Sequence, residues 1–310
     1  MSLNSTSAWL KRCIARRPIT AYLLILYPLT WILFVPSLLG KSGFGVVPPD
    51  IPYQISVPLN SILGLTGVAL LVTRIADGKA GVRALLRNYY HFSVGAQWYL
   101  LAVLGAPILL LVVALTIRGA SALSTFATHL SQLPTTYLLN VVVIATLVSL
   151  CEEGGWMAFV TARLQRRWGP VVASLVVAPL FGLVHFPLFF ITGGLIDNGR
   201  PEGAQVFEYA FYLLILFSVP VRILVTWVYN STGGSLPVVA LLHASIDATA
   251  STAMLTTFYR GVDGRLLYVA IFIVAAAVIP ITRGRLGYHK ESNAASPVAE
   301  PTLGHEPRVG

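Results

Sequence analysis

Five ionisable side chains stand in stretches that are otherwise apolar: Glu152 and Glu153, His185, and His243 with Asp247. Carboxylates and imidazoles are the side chains that take up and return protons near neutral pH, and both are zinc ligands. Two adjacent acids, two imidazoles and a further acid in a shielded cavity suit the activation of a water for hydrolysis, by general-base action or through a bound metal. Residues four apart share a helix face, so His243 and Asp247 point together, as do Phe181 and His185. Glu152 and Glu153 are about 100° apart around a helix. One of them therefore faces a site squarely, while the other reaches its edge or a neighbouring helix.

The elements that must position these residues follow from composition. Of 310 residues, 56% are hydrophobic and 11% charged, where an ordinary soluble domain carries about 25% charged residues. With a mean hydropathy of +0.76, the chain lacks the polar surface that a water-soluble monomer needs. The net charge is +9, but the basic residues fall between apolar runs instead of gathering on one face. They mark topology, and no nucleic-acid partner is expected. Two cysteines, Cys13 and Cys151, make no disulfide framework.

A membrane helix needs about 20 apolar residues. Eight such runs occur, at about 20–39, 56–72, 98–117, 137–162, 170–191, 206–229, 236–257 and 266–281. The predicted fold is all-α, a polytopic membrane bundle of about eight transmembrane helices. The basic stretch with Lys11, Arg12, Arg16 and Arg17 precedes a run without a small-residue cleavage site, so the first run is expected to be a membrane helix and not a cleaved signal. With the N-terminus inside, fifteen Lys and Arg fall on the inner side and five on the outer, with Arg222 left inside the sixth run. This bias places both termini in the cytoplasm. Arginine in excess of lysine fits a bacterial cell membrane.

The expected organisation is a basic cytoplasmic N-terminus (1–19), N-terminal membrane helices (20–135), a protease-like membrane core (136–282) and a disordered cytoplasmic tail (283–310). Within the second segment, residues 81–92 place Val82, Leu85, Leu86 and Tyr89 on one helical face and Arg83 and Arg87 on the other, as an interfacial helix does.

At 1.5 Å per residue from the inner flanks, Glu152, His185, His243 and Asp247 lie roughly 16, 22, 10 and 16 Å deep. Three ionised carboxylates at that depth would cost on the order of 9 kcal/mol, comparable to the net stability of a whole domain, about 5 to 15 kcal/mol. The bland readings are two acids at a helix end near the surface, a core histidine at 185, and a structural His243–Asp247 pair. The continuous apolar run through Phe159 and Val160 and the shared depth of all five residues weigh against them.

Three strings carry a resemblance: EEGGWMAFVTARLQ (152–165), FGLVHFP (181–187) and TWVYNSTGGSLPVVALLHASID (226–247). In this order on consecutive spans they resemble the CAAX protease and bacteriocin-processing family of intramembrane proteases, to which the prenyl-protein endopeptidase of eukaryotes belongs. The likeness covers about residues 137–260. It implies an intramembrane endopeptidase of the metalloprotease type, acting on membrane-embedded or lipid-anchored protein substrates within the bilayer. Residue by residue, it gives Glu152 the role of water-activating base and His185 that of assistant or ligand. His243 and Asp247 would hold the oxyanion or complete a metal site, and Glu153 matches the second glutamate. Zinc on His185, His243 and Asp247 is one implied cofactor; a glutamate-activated water without metal is the other.

One departure stands out. The family pattern has an arginine after the double glutamate and three intervening residues, where this chain has Met157. Arg163 lies too far along the helix to replace it, and Arg222 is read as a snorkelling or structural residue. Met157 therefore motivates an alternative, a non-catalytic relative that binds as a membrane partner or immunity protein. A proton-coupled transporter is a further alternative, since buried acids and histidines also relay protons. Trp156 and Phe181 are read as packing residues, and Gly233–Gly234 as a tight turn. No oligomeric state is implied.

Overall fold

The computed structural model describes residues 3–193 and 204–289. These are helical, apart from turns and one isolated backbone bridge in which Thr192 N donates to Ser42 O at 2.8 Å. In chain order the helices are α1 (Leu3–Arg16), α2 (Pro18–Leu39), α3 (Tyr53–Ala76), α4 (Gly78–Tyr89), α5 (Ala96–Arg118), α6 (Ala120–Thr128), α7 (Leu130–Trp168) and α8 (Pro170–Val184). They continue with α9 (Ala204–Phe211), α10 (Tyr212–Ser231), α11 (Leu236–Ala250), α12 (Thr252–Phe258) and α13 (Arg265–Ile281). Six helical stretches are long and apolar enough to cross a membrane, α8 counting together with the 3-10 turn Phe186–Phe190 that follows it. A seventh forms if α11 and α12, bent by 61° at Ser251, count as one span, and α13 is an apolar helix of 17 residues. All eight predicted runs are thus helical, and the protein is a multi-pass integral membrane protein.

Helix ends that the sequence assigns to one side meet in space. Arg163 bonds Asp77, Gln165 pairs with Asn230, and Ser235 Oγ donates to His91 O at 2.6 Å. At the opposite end, Arg118 donates to Arg260 O at 2.7 Å. Among the described residues, most of the arginines and lysines crowd at the first of these ends, called the basic end below.

The centre of the bundle is α11, twelve of whose fifteen residues are buried. It packs against α5, α7 and α10. Its N-terminus is capped by Ser235, whose hydroxyl accepts from Val238 N, and its end at Ala250 is followed by Ser251, which caps α12 by accepting from Met254 N. Proline sets another contact. Pro107 in α5 has no N–H for the carbonyl four residues back, and Val103 O instead accepts from Tyr137 of α7 and from Ser245 of α11, the latter at 3.2 Å. In hydrocarbon such a carbonyl needs a protein partner, so the proline of α5 links α7 and α11.

Helix α7 is interrupted by π turns at Pro134–Leu138, Ala145–Ser149 and Gly154–Thr161, the last starting one residue after Glu153. A π turn re-aims side chains and often marks a functional site. Small residues allow it to be clasped. A Cβ on Gly154 would overlap the Tyr89 hydroxyl, and one on Gly155 would meet the Tyr22 hydroxyl and the Leu65 carbonyl. Tyr89 donates to Thr66 Oγ1 at 2.6 Å, and Thr66 in turn donates to Cys151 O at 2.5 Å. Burial pushes the Tyr89 phenol up to about 12, so it stays protonated as the donor at the head of that chain.

Two predicted boundaries shift. The helix expected at 81–92 spans Gly78–Tyr89, because Tyr90–Gly95 already forms the connection to α5. The expected tail from 283 begins later, since Leu286 is fully buried and its carbonyl accepts from Asn230 Nδ2 at 3.2 Å. An apolar side chain with a waiting pocket and a paired carbonyl folds back on the bundle. The tail beyond residue 289 lies outside the described residues.

Candidate active site

Glu153 is fully buried, and both of its carboxylate oxygens are engaged. Arg222 Nη1 donates to Oε2 at 2.9 Å, Arg222 Nη2 donates to Oε1, and His243 Nδ1 lies 2.8 Å from Oε1. The other ring nitrogen of His243, Nε2, lies 3.5 Å from Asp247 Oδ2. One charge chain therefore runs from α10 through α7 to α11: Arg222, Glu153, His243, Asp247. Asp247 is its open end, with its side chain 34% exposed.

Glu152 points elsewhere, as the 100° step requires. It is 5% exposed and lies 3.2 Å from Ser61 Oγ of α3. His185 is the residue that ends α8, and its Nδ1 lies 3.0 Å from Phe181 O. Phe181 is the shared floor. His185 meets its ring edge-on at 4.9 Å, His243 at 5.7 Å, and the Arg222 guanidinium lies 4.4 Å from its centroid. Asp247 is within charge–charge range of both Glu152 and His185. The five predicted residues thus occupy one region, with Glu153, His243 and Asp247 in direct contact, His185 joined through Phe181, and Glu152 on the adjoining face.

The hydrogen-bond directions constrain the imidazoles. A carbonyl only accepts and an ionised carboxylate only accepts, so Nδ1 donates in both histidines. His185 is then held by its Nδ1 with Nε2 left for chemistry, the arrangement found behind metal-bound histidines and behind catalytic ones, whereas the Nε2 of His243 faces Asp247. The donor types suit zinc. Yet among the described residues no three His, Cys, Asp or Glu side chains converge as a metal-holding group.

Sequence reasoning missed two residues. Arg222, read as snorkelling or structural, is fully buried on Glu153. Met157 packs on the same helix, its sulfur 3.9 Å from Thr226 Oγ1, one turn along from Arg222. The countercharge absent at Met157 is supplied across the helix interface by α10. The available signal was a lone cation in an apolar run, which in hydrocarbon requires an acid partner. Ser61 carried no signal, being an ordinary small polar residue in a span.

Residues 134–249 match the family model described as "Type II CAAX prenyl endopeptidase Rce1-like". A curated protein of Methanococcus maripaludis named "CAAX prenyl protease 2" is 25% identical over 176 residues, which are 56% of this chain. The match spans 60% of that relative's length. The matched segment contains Glu152, Glu153, His185, Arg222, His243 and Asp247. Over residues 134–249, the chain is similar to the Rce1-like type II CAAX prenyl endopeptidases.

Proposed function

We propose that the protein is an intramembrane endopeptidase that hydrolyses a peptide bond in a membrane-embedded or lipid-anchored protein, with Glu152 as the base. The observation that carries this reading is the unequal treatment of two adjacent acids. Glu153 has both oxygens committed to Arg222 and His243. It can accept a proton only by breaking a buried ion pair, and its part is to hold His243. Glu152 has a hydroxyl neighbour, no such pair among the described residues, and residual exposure.

In the proposed reaction Glu152 removes a proton from water, and the hydroxide adds to the scissile carbonyl carbon. His185, protonated at both ring nitrogens, donates from Nε2 to the developing oxyanion, while His243 is held between Glu153 at Nδ1 and Asp247 at Nε2. The C–N bond then breaks, and the proton on Glu152 passes to the leaving amine, giving a carboxylate and an amine. Glu152→Gln keeps the shape and removes the base. Its kcat for a membrane-anchored reporter peptide is expected to fall by about 10²- to 10⁴-fold. Undiminished turnover would overturn the mechanism.

Cleavage is expected to persist after treatment with a metal chelator. Loss that zinc restores would instead assign His185, His243 and Asp247 as ligands. The reading of a non-catalytic relative was motivated by Met157, and Arg222 removes that motive. The basic end is assigned to the cytoplasm by its excess of arginine and lysine, and a substrate held by a lipid anchor would approach from the bilayer.

A further inference from the structure

Glu152 is contacted from outside the segment that matches the family model. Its neighbour Ser61 belongs to α3, in the π turn Asn60–Gly67, whereas the matched residues are 134–249. The register between α3 and α7 is fixed one residue away, where Thr66 of the same π turn donates to Cys151 O at 2.5 Å. Ser61 is 1% exposed and Glu152 5%. The Ser61 hydroxyl must therefore be satisfied inside the protein.

Among the described residues, two acceptors lie within its reach: Glu152 Oε1 at 3.2 Å, and Val57 O, one turn back in α3, at 3.0 Å. A hydroxyl has one hydrogen to donate, so it serves one of them at a time. Val57 O does not depend on it, because it also accepts from the Asn60 N–H. An ionised carboxylate is the stronger acceptor, a charge-assisted hydrogen bond being about twice as strong as a neutral one. While Glu152 is ionised, the hydrogen therefore goes to Oε1. Once Glu152 carries a proton that advantage is gone, and the hydroxyl can turn to Val57 O without stranding its own hydrogen.

We propose that Ser61 is the positioning residue of the base, an inference that rests on Glu152 removing a proton from water. Held at Oε1 by Ser61, the carboxylate has Oε2 to face the water. The proton passes from the water oxygen to Oε2, and the Ser61 hydrogen is never transferred. When the hydroxyl then turns to Val57 O, it unties the carboxyl group, which is free to hand its proton to the leaving amine. A helix outside the matched segment thereby completes the reaction centre.

The test uses the full chain in detergent with a membrane-anchored reporter peptide. Ser61→Ala is expected to lower kcat about 10-fold with KM unchanged. Ser61→Thr keeps the hydroxyl and is expected to restore most of kcat. A second readout does not depend on turnover: the infrared carboxylate band that Glu152→Gln removes is expected to shift in Ser61→Ala and to return in Ser61→Thr. An unshifted band, or a raised KM with kcat unchanged, overturns the role of Ser61. Full kcat in Ser61→Ala beside an inactive Glu152→Gln removes this inference alone and leaves the base in place. Full cleavage by Glu152→Gln overturns the peptidase mechanism itself, and this inference with it.

Discussion

Among the described residues, two hydrogen-bonded arginine–carboxylate pairs join distant parts of the chain, and their surroundings differ. Arg163 and Asp77, at the basic end, keep 11% and 10% of their side-chain surface, and Arg163 also leans on the Phe159 ring and donates to the Phe159 carbonyl. Arg222 and Glu153, in the middle of the bundle, keep none. Moving two charges out of water costs several kcal/mol each, and an apolar pair of similar volume is often as stable. The pair at the rim is a strap between α4 and α7 with water within reach. The pair in the middle lies where desolvation is greatest, and it is bonded onward to His243 and Asp247. That placement makes sense if it holds an imidazole for chemistry.

The largest effect should come from breaking the central pair. Arg222→Met leaves Glu153 buried without a countercharge and is expected to cost about 3–5 kcal/mol of stability, with cleavage lost, both read on detergent-solubilised protein. If stability were unchanged, the pair would not be the anchor described here. The rim pair should matter less. Asp77→Asn is expected to cost about 1–3 kcal/mol and to leave most of the cleavage rate intact; an effect as large as that of Arg222→Met would erase the distinction between the two pairs.

A sharper test relocates the cation. In the Arg222→Met background, Met157→Arg should restore at least half of the lost stability and some cleavage. Alone it should destabilise, because two guanidiniums would then compete for one carboxylate. A double-mutant cycle measures this coupling directly. The smallest effect concerns the strap around the π turn. Gly154→Ala forces a methyl group against the Tyr89 hydroxyl and is expected to cost about 1–3 kcal/mol. Adding Tyr89→Phe should recover part of it, and no recovery would move the clash elsewhere.

Much of the fold was legible. Hydrocarbon demands long apolar runs and tolerates few charges, so the eight helical stretches could be counted and the five ionisable residues stood out. The i, i+4 spacing of His243 and Asp247 survives as a contact because it is local to one helix. The end of the chain was less legible. Leu286 is one apolar residue in a polar stretch, and only the pocket beside Asn230 makes it part of the bundle. The π turns of α7 were also invisible, because they depend on glycine clearances and on hydroxyls from other helices.

The sequence by itself determined a polytopic helical membrane protein and singled out its buried acids and histidines, since both follow from composition and from spacing within one helix. Only the tertiary structure decided which glutamate is held and which is left available, and that the cation missing at Met157 comes from Arg222. No spacing rule connects residue 153 to residue 222. They meet because α7 and α10 pack side by side, and a charge buried in hydrocarbon must be met by whatever partner the packing brings.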